Sequence, residues 1–477
     1  MASYGSIPKK EYLTKAERDL LQSDRPGYGS RSIPEAAFNM VNATVGAGII
    51  GLPFAIAHAG FFAGIVLSIF VAAQSQLGLY LLILAGQRVG IYKFAHLMEY
   101  IMGRTGFHLL NFIVFFQAGG ACVSYFILLG DSVPVLCGRY LPQFPLLAQR
   151  EYVIPLIGTF FILPLTFSRS IGALARWSFI GVLCIPVILL TLAIRAPAYA
   201  PDTGFPLDWV GPDVLGALGI MAFAFTCSHV AFNNYLTLHD QSSRAWGLTT
   251  ILATLTSWAG SMAFGVVGYL AFGDKVQPNL FLNFADDDPV VNVGRLALAC
   301  SMILSIPTAF FPTREAAQKS LGFETTTTQP TQWQHYSVTV ILFYMILGVG
   351  ITIRDLGSVY RVAGSVSANA LAFILPGLCY LVTRFRPQPT VYPTLTATTT
   401  VAPDECDKPH IFSDGASIAS SSRAILLDDE DISTVGEGDI HDLFDLPEPA
   451  WWLDVVAAGE ILWGLSIMIF CTSSSAS

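Results

Sequence analysis

Asn39-Met40-Val41-Asn42-Ala43-Thr44-Val45-Gly46-Ala47-Gly48-Ile49-Ile50-Gly51-Leu52-Pro53 lies inside the first long apolar block of the chain, and its reading decides the fold. Two asparagines, a threonine and three glycines stand where a lipid-facing helix would carry Leu or Ala. Each glycine weakens a helix by about 1 kcal/mol relative to alanine, so the stretch predicts an unwound turn at membrane depth. Backbone freed in hydrocarbon survives only where protein or a watery cavity covers it. Freed N–H groups, with the positive end of the half-helix that follows, suit a carboxylate. Freed carbonyls, with the side-chain oxygens of Asn42 and Thr44, suit an ammonium group or a small cation. The glycines alone would equally fit a close-packing face, Gly46/Ile50 or Ala47/Gly51, for a neighbouring helix. The asparagines favour the unwound turn, because packing needs no amide. Just upstream, Ser32, Pro34 and Glu35 mark the helix start as a capping serine, a first-turn proline and a glutamate three residues on.

Working outward, the 477 residues are 53% hydrophobic and only 12% charged, well below the roughly one-quarter charged content of soluble domains. The apolar residues fall into blocks near 35–57, 61–86, 107–130, 152–167, 173–194, 213–236, 246–271, 293–312, 336–353, 359–382 and 451–471. Such blocks are long enough to cross a hydrocarbon core of roughly 30 Å as helices. The pattern predicts an all-α polytopic membrane protein of about eleven transmembrane helices. Residues 1–34 form a tail with no cleavable signal pattern, 35–382 a ten-span core, 383–450 an acidic loop and 451–477 the last span with a short tail. With the N-terminus in the cytosol, most of the 25 basic residues lie on that side, as the positive-inside rule requires. Segment 87–106 has helical spacing and reads as an interfacial helix. Loop 383–450, rich in Thr, Ser, Pro and acids, is expected to be disordered and cytosolic, a spacer or a phosphorylatable platform for regulatory partners. The eight cysteines include no CxxC pair; Cys137 and Cys471 fall on one side and could form a disulfide.

Five spans after the first, Phe223, Ala224, Phe225, Thr226, Cys227, Ser228 and His229, followed by Asn233 and Asn234, give a second polar interruption. A first and a sixth span broken alike is the pattern of a five-plus-five inverted repeat. His229 fits either titration linked to transport or hydrogen-bonded packing. In the eighth span Ser301, Ser305 and Thr308 share one face, where their hydroxyls could complete a cation site or bond their own helix carbonyls. Glu460 lies mid-span in the last helix, where an acid costs at least about 2.5 to 3.5 kcal/mol unless paired or neutral. It fits either a proton carrier or a protonated structural acid. The loops carry no nucleophile-base-metal constellation of an enzyme, and no repeated loop reads as a channel filter.

Asn42–Pro53, Phe223–His229, Gly268–Asp274 with Pro278–Phe284, and Ser305–Arg314 together resemble the amino acid/auxin permease family, within it the sodium-coupled neutral and vacuolar amino-acid transporter branches. The likeness covers roughly residues 32–382. It implies a leucine-transporter-type fold in which the first and sixth spans hold an amino acid's carboxylate and amino groups, and it places Asn42 and Ser305 at positions associated with the coupling cation. The family's usual threonine is Ser305 here, and its usual Cys-His is Cys227, Ser228 and His229. The expected substrate site is therefore Thr44, Val45, Gly46, Ala47, Gly48, Phe223, Phe225 and Thr226. The expected cation site is Asn42, Val45, Ser301, Ser305 and Thr308, with His229 and Glu460 as proton-linked candidates. The expected function is secondary active transport of neutral amino acids coupled to Na+ or H+, with a membrane amino-acid sensor as the alternative. An amino-acid substrate and membrane lipid are the expected partners, with no nucleic acid, no cofactor and no metal ion other than Na+. The vacuolar or lysosomal membrane is favoured over the plasma membrane.

Overall fold

The computed structural model describes residues 26–46, 48–168, 171–201, 205, 207–324, 330–386 and 451–474. The acidic loop therefore lies outside the described residues, as do most of the N-terminal tail and Ala47.

The first block begins where Ser32 and Glu35 place it. Helix α1 (Ile33–Thr44) carries Pro34 in its first turn, and the Ser32 N–H donates to Glu35 Oε2 at 2.9 Å in a reciprocal cap. The chain bends by 65° before α2 (Gly48–Ala59). Then come α3 (Phe61–Val89) and α4 (Phe94–Tyr140). Next are α5 (Arg150–Ile157), a wide π turn at Gly158–Ile162, and α6 (Leu163–Thr166). Helix α7 (Ile171–Tyr199) ends the first half. The second half holds α8 (Val214–Phe225), α9 (Ala231–Thr237), α10 (Ser243–Phe272), α11 (Pro289–Ser320) and α12 (Gln332–Thr352). Helix α13 (Leu356–Val362) continues through π turns at Ala363–Ala368 and Ala370–Ile374 into α14 (Leu375–Phe385), and α15 (Trp451–Ser474) is last. Among the described residues eight helical spans are long and apolar enough to cross a membrane, and the bent pair α1–α2 makes a ninth. The fourth block is helical over α5–α6, and the fifth contributes the shorter apolar stretch Leu183–Tyr199.

Segment 87–106 needs correction in two respects. The second span runs on to Val89 and the chain turns before Phe94, where a helix starts that includes the whole third block. At 1.5 Å per residue α4 would be about 70 Å long, more than twice a bilayer core. Gly103, at φ 67°, breaks its course, a left-handed conformation that glycine adopts without strain. The apolar face of the stretch before that bend, Phe94, Leu97, Met98 and Ile101, packs into a protein cluster with Leu375 and Cys379. The disulfide that Cys137 and Cys471 could have formed is not made: both are free thiols, and Cys471 Sγ lies 3.1 Å from the Leu215 carbonyl oxygen.

Spans one and six lie antiparallel and are fastened at both ends by backbone hydrogen bonds. At one face Arg31 N–H donates to the Thr237 carbonyl and His239 N–H to the Arg31 carbonyl, both at 2.9 Å. At the other, Gly211 N–H reaches the Ala59 carbonyl at 2.7 Å and Asp213 N–H the His58 carbonyl at 2.9 Å. This second face is covered by the segment between α10 and α11. Buried Asn279 there donates to Asp131 Oδ2 at 3.0 Å, and Arg150 Nη1 donates to Asp131 Oδ1 at 3.0 Å. Buried Arg295 gathers the carbonyls of Phe281 and Phe284 at 3.0 Å each. The covering segment is thereby held to α4, α5 and α11.

Candidate functional site

Both polar interruptions are breaks in the helix. After α1, Val45 takes φ −81° and ψ 77°, and the backbone closes tightly, Gly46 N–H donating to the Thr44 carbonyl at 2.9 Å. After α8, Thr226 is extended (φ −84°, ψ 122°), and a single tight turn at Ser228–Val230 precedes α9. No Gly or Pro marks this second break. Here the polar residues supply the bonds that an unwound backbone needs: Thr226 donates to the Ala222 carbonyl at 2.6 Å, and Ser75 of α3 to the Phe225 carbonyl at 2.8 Å.

The two breaks meet. A Cβ built on Gly48 would lie 2.5 Å from Ala224 Cα, so the start of α2 rests on the backbone at the end of α8. Gly46 is equally close to Tyr125 of α4, whose hydroxyl oxygen would be 2.5 Å from a Cβ there. Tyr360 lies against Gly51, and its ring centroid is 5.1 Å from that of Phe223. Small residues in span one are thus required by close approach of both backbone and aromatic rings. This reconciles the two readings of the glycines, which permit the break and also make the crossing tight.

The expected substrate residues Thr44, Val45, Gly46, Gly48, Phe223, Phe225 and Thr226 all lie at this crossing; Ala47 is outside the described residues. The hydroxyl of Thr44 donates to the Met40 carbonyl at 2.8 Å and that of Thr226 to Ala222, leaving only their oxygen lone pairs for a ligand. Of the expected cation residues, Val45 and Ser301 line one small cavity with Gly46, Ile49, Ile50 and Phe264. Ser301 Oγ donates to the Gly181 carbonyl of α7 at 3.1 Å rather than to its own helix. Thr308 Oγ1 is buried with no partner among the described residues, as are Ser228 Oγ and His229 Nδ1 in the second break. The cavity measures about 10 Å³, the space of about one water. Its wall is mostly aliphatic and is built by the first break with α7, α10 and α11, without a residue of the second break.

Tyr125, Tyr360 and Ser75 were missed by the sequence reading. A tyrosine at lipid depth is itself a signal, since its hydroxyl needs a partner there. Nothing in the local pattern tells which break it serves. If Gly46 is held by the Tyr125 hydroxyl alone, Gly46→Ala should lower the melting temperature of the purified protein. Tyr125→Phe in the same chain should restore most of the loss, because the next tyrosine atom stands 3.6 Å away, an ordinary contact. Equal destabilisation in the single and double variants would contradict this packing.

Facing breaks in two antiparallel helices, inside an all-helical body with eight helices among the described residues long and apolar enough to cross a membrane, define a multi-pass membrane protein built around interrupted spans. The family model of the transmembrane amino acid transporter protein matches residues 29–393, and the chain belongs to that family. It is an amino-acid transporter by family and not an enzyme. A zebrafish (Danio rerio) protein named "Putative sodium-coupled neutral amino acid transporter 11" is 30% identical over 77% of this chain and 83% of its own length. Vacuolar amino acid transporter 2 of Saccharomyces cerevisiae is 27% identical, over 76% and 79% respectively. Among solved structures, a Na+-coupled sialic acid symporter matches with a TM-score of 0.48 and 14% identity, covering 76% of this chain and 81% of its own.

Proposed function

We propose that the protein is a secondary active transporter of neutral amino acids coupled to Na+ or H+, holding its substrate where spans one and six unwind. Eleven membrane-spanning helices, arranged as a five-plus-five inverted repeat with α15 outside it, are part of the same reading. The observation that carries it is the crossing of two antiparallel broken helices at their breaks, Gly48 on Ala224.

The chemistry on offer suits a zwitterion with an uncharged side chain. No Asp, Glu, Lys or Arg occurs from Asn39 to Pro53 or from Phe223 to Tyr235, so recognition falls on backbone groups. The N–H groups opening α2 face a carboxylate, and carbonyls ending α1 and α8 face an ammonium group. Asn42, Val45, Ser301, Ser305 and Thr308 form the cation candidate beside them. With space for only about one water, substrate entry requires the α7 and α11 wall, Ile185, Leu189, Leu298 and Met302, to draw back from the break. That displacement is the alternating-access step of the reading. Residence in a vacuolar or lysosomal membrane, N-terminus cytosolic, is proposed in keeping with the yeast relative and the distribution of basic residues.

Labelled amino-acid uptake into proteoliposomes under imposed Na+ and pH gradients tests the proposal. Uptake driven by one of the gradients is expected, and Asn42→Ala should lose most of the cation dependence. No gradient-driven uptake across a full amino-acid panel would sink the proposal; unchanged cation activation in the variant would move the cation site elsewhere.

A further inference from the structure

Glu460 is fully buried near the middle of α15, and neither carboxyl oxygen has a hydrogen-bond partner among the described residues. Its surroundings are built from three elements. A Cβ on Gly78 of α3 would lie 3.6 Å from Glu460 Oε2 and 2.0 Å from the Ala372 carbonyl oxygen, so the bare glycine leaves one corner shared by the carboxyl and that carbonyl. Ala372 belongs to the π-turn stretch Ala370–Ile374, a geometry that recurs at functional sites. One turn along α15, the Gly464 carbonyl accepts a hydrogen bond from Asn369 Nδ2 at 2.6 Å. The residue before Asn369 is Ala368, whose carbonyl lies 3.3 Å from the hydroxyl of Thr226 in the break after α8. A polar connection therefore runs from the break to the turn of α15 that carries Glu460.

Among the described residues no cation answers the carboxyl. The titratable residues of α3 are Tyr80 and Arg88, and those of α14 are Cys379, Tyr380 and Arg384. Arg88 lies over the Tyr380 ring, and Arg384 Nε is 3.8 Å from Asp454 near the start of α15. Cys471 stands near the opposite end of α15; α8 and the stretch 363–374 contain no titratable side chain. Charge left on Glu460 would stand buried without a counter-charge or hydrogen-bond donor among the described residues, whereas the neutral acid buries no net charge.

We infer that Glu460 is a proton-binding site, loaded in this conformation and exchanging its proton when the stretch 363–374 shifts against α15 as the break at Thr226 rearranges. The coupling half of this inference rests on the transport reading; the proton occupancy does not. Asn369 acts as a positioning residue between the two.

The test uses the full chain in liposomes and dicyclohexylcarbodiimide, an apolar reagent that couples to protonated carboxyls. A cavity of about 470 Å³ between α3 and α15, lined by Phe70, Gln74, Gly459, Leu462, Trp463 and Ser466, gives the reagent access beside the site. Peptide mass spectrometry is expected to find Glu460 labelled at neutral pH and the label lost as the pH rises. Glu460→Gln should abolish the label there, and both Glu460→Gln and Asn369→Ala should flatten the pH profile of amino-acid uptake. An unlabelled Glu460 at neutral pH, or labelling that does not change over the pH range in which the protein stays folded, overturns the inference. So does Glu460→Gln with the wild-type pH profile of uptake. If that variant does not fold, labelling of the unmodified chain decides. If the protein moves no amino acid at all, the transport reading fails while the labelling still decides proton occupancy.

Discussion

Replacing Gly48 by valine is expected to cut amino-acid uptake at least about fivefold while the protein still reaches the membrane. A side chain at this position meets Ala224 Cα at 2.5 Å, Ala224 Cβ at 2.8 Å and Ala224 N at 3.3 Å. Two of these three atoms are main chain, so no rotamer change relieves the clash, and α2 must move away from α8. Overpacking typically costs about 1 to 3 kcal/mol. Spent on the crossing alone, that corresponds to about fivefold to over a hundredfold in a rate limited there. The control is Gly260→Ala in α10, where nothing stands within 4 Å of an added Cβ, and its uptake should match the unmodified chain. Unchanged uptake in Gly48→Val, with surface or vesicle amounts equalised, would show that the crossing does not govern transport.

That prediction depends on a feature only half legible in the amino-acid sequence. Asn42, Gly46 and Gly48 announce a break in span one, because amides and glycines at membrane depth have no place in a lipid-facing helix. Thr226 to His229 announce the second by polarity alone, and the helix does stop after Phe225. The cap at Ser32 and Glu35 is equally local and lies where the spacing puts it. What the sequence cannot carry is which long-range neighbour meets each break. Gly48 meets Ala224, Gly46 meets Tyr125, and Ser75 reaches Phe225, pairs separated by about 80 to 180 positions that leave no mark in a 3.6-residue period. The same limit explains the segment before Gly103. Its apolar spacing is equally satisfied by lipid headgroups or by protein, and only tertiary packing against Leu375 and Cys379 selects protein.

The pairing that closes the other face of the molecule is not legible in the sequence, since Asp131 and Arg150 flank separate apolar blocks and Asn279 lies in the loop between two others. The second large effect is expected there. Arg150 is buried, pairs with Asp131 at 3.0 Å and donates to the Gly350 carbonyl at 2.7 Å and the Ile353 carbonyl at 3.3 Å, where α12 ends. A Cβ on Gly130 would stand 2.4 Å from Arg150 Nε, so that glycine makes the space in which the guanidinium lies. Arg150→Met removes the cation and leaves the Asp131 carboxylate held only by Asn279, with two helix-end carbonyls losing their donor. Removing one partner of a buried pair typically costs about 3 to 5 kcal/mol, against near neutrality when both charges are replaced together. Arg150→Met should therefore sharply lower the melting temperature of the purified protein, and Asp131→Asn in the same chain should recover much of it. The recovery separates an uncompensated charge from lost packing, because the double variant restores neutrality without restoring the guanidinium. If the single variant melts with the unmodified chain, the pair is not what holds the covering segment to α4 and α5. The segment would then owe its place to other contacts, chiefly Arg295 on the Phe281 and Phe284 carbonyls and Asn292 on the Asp286 carbonyl.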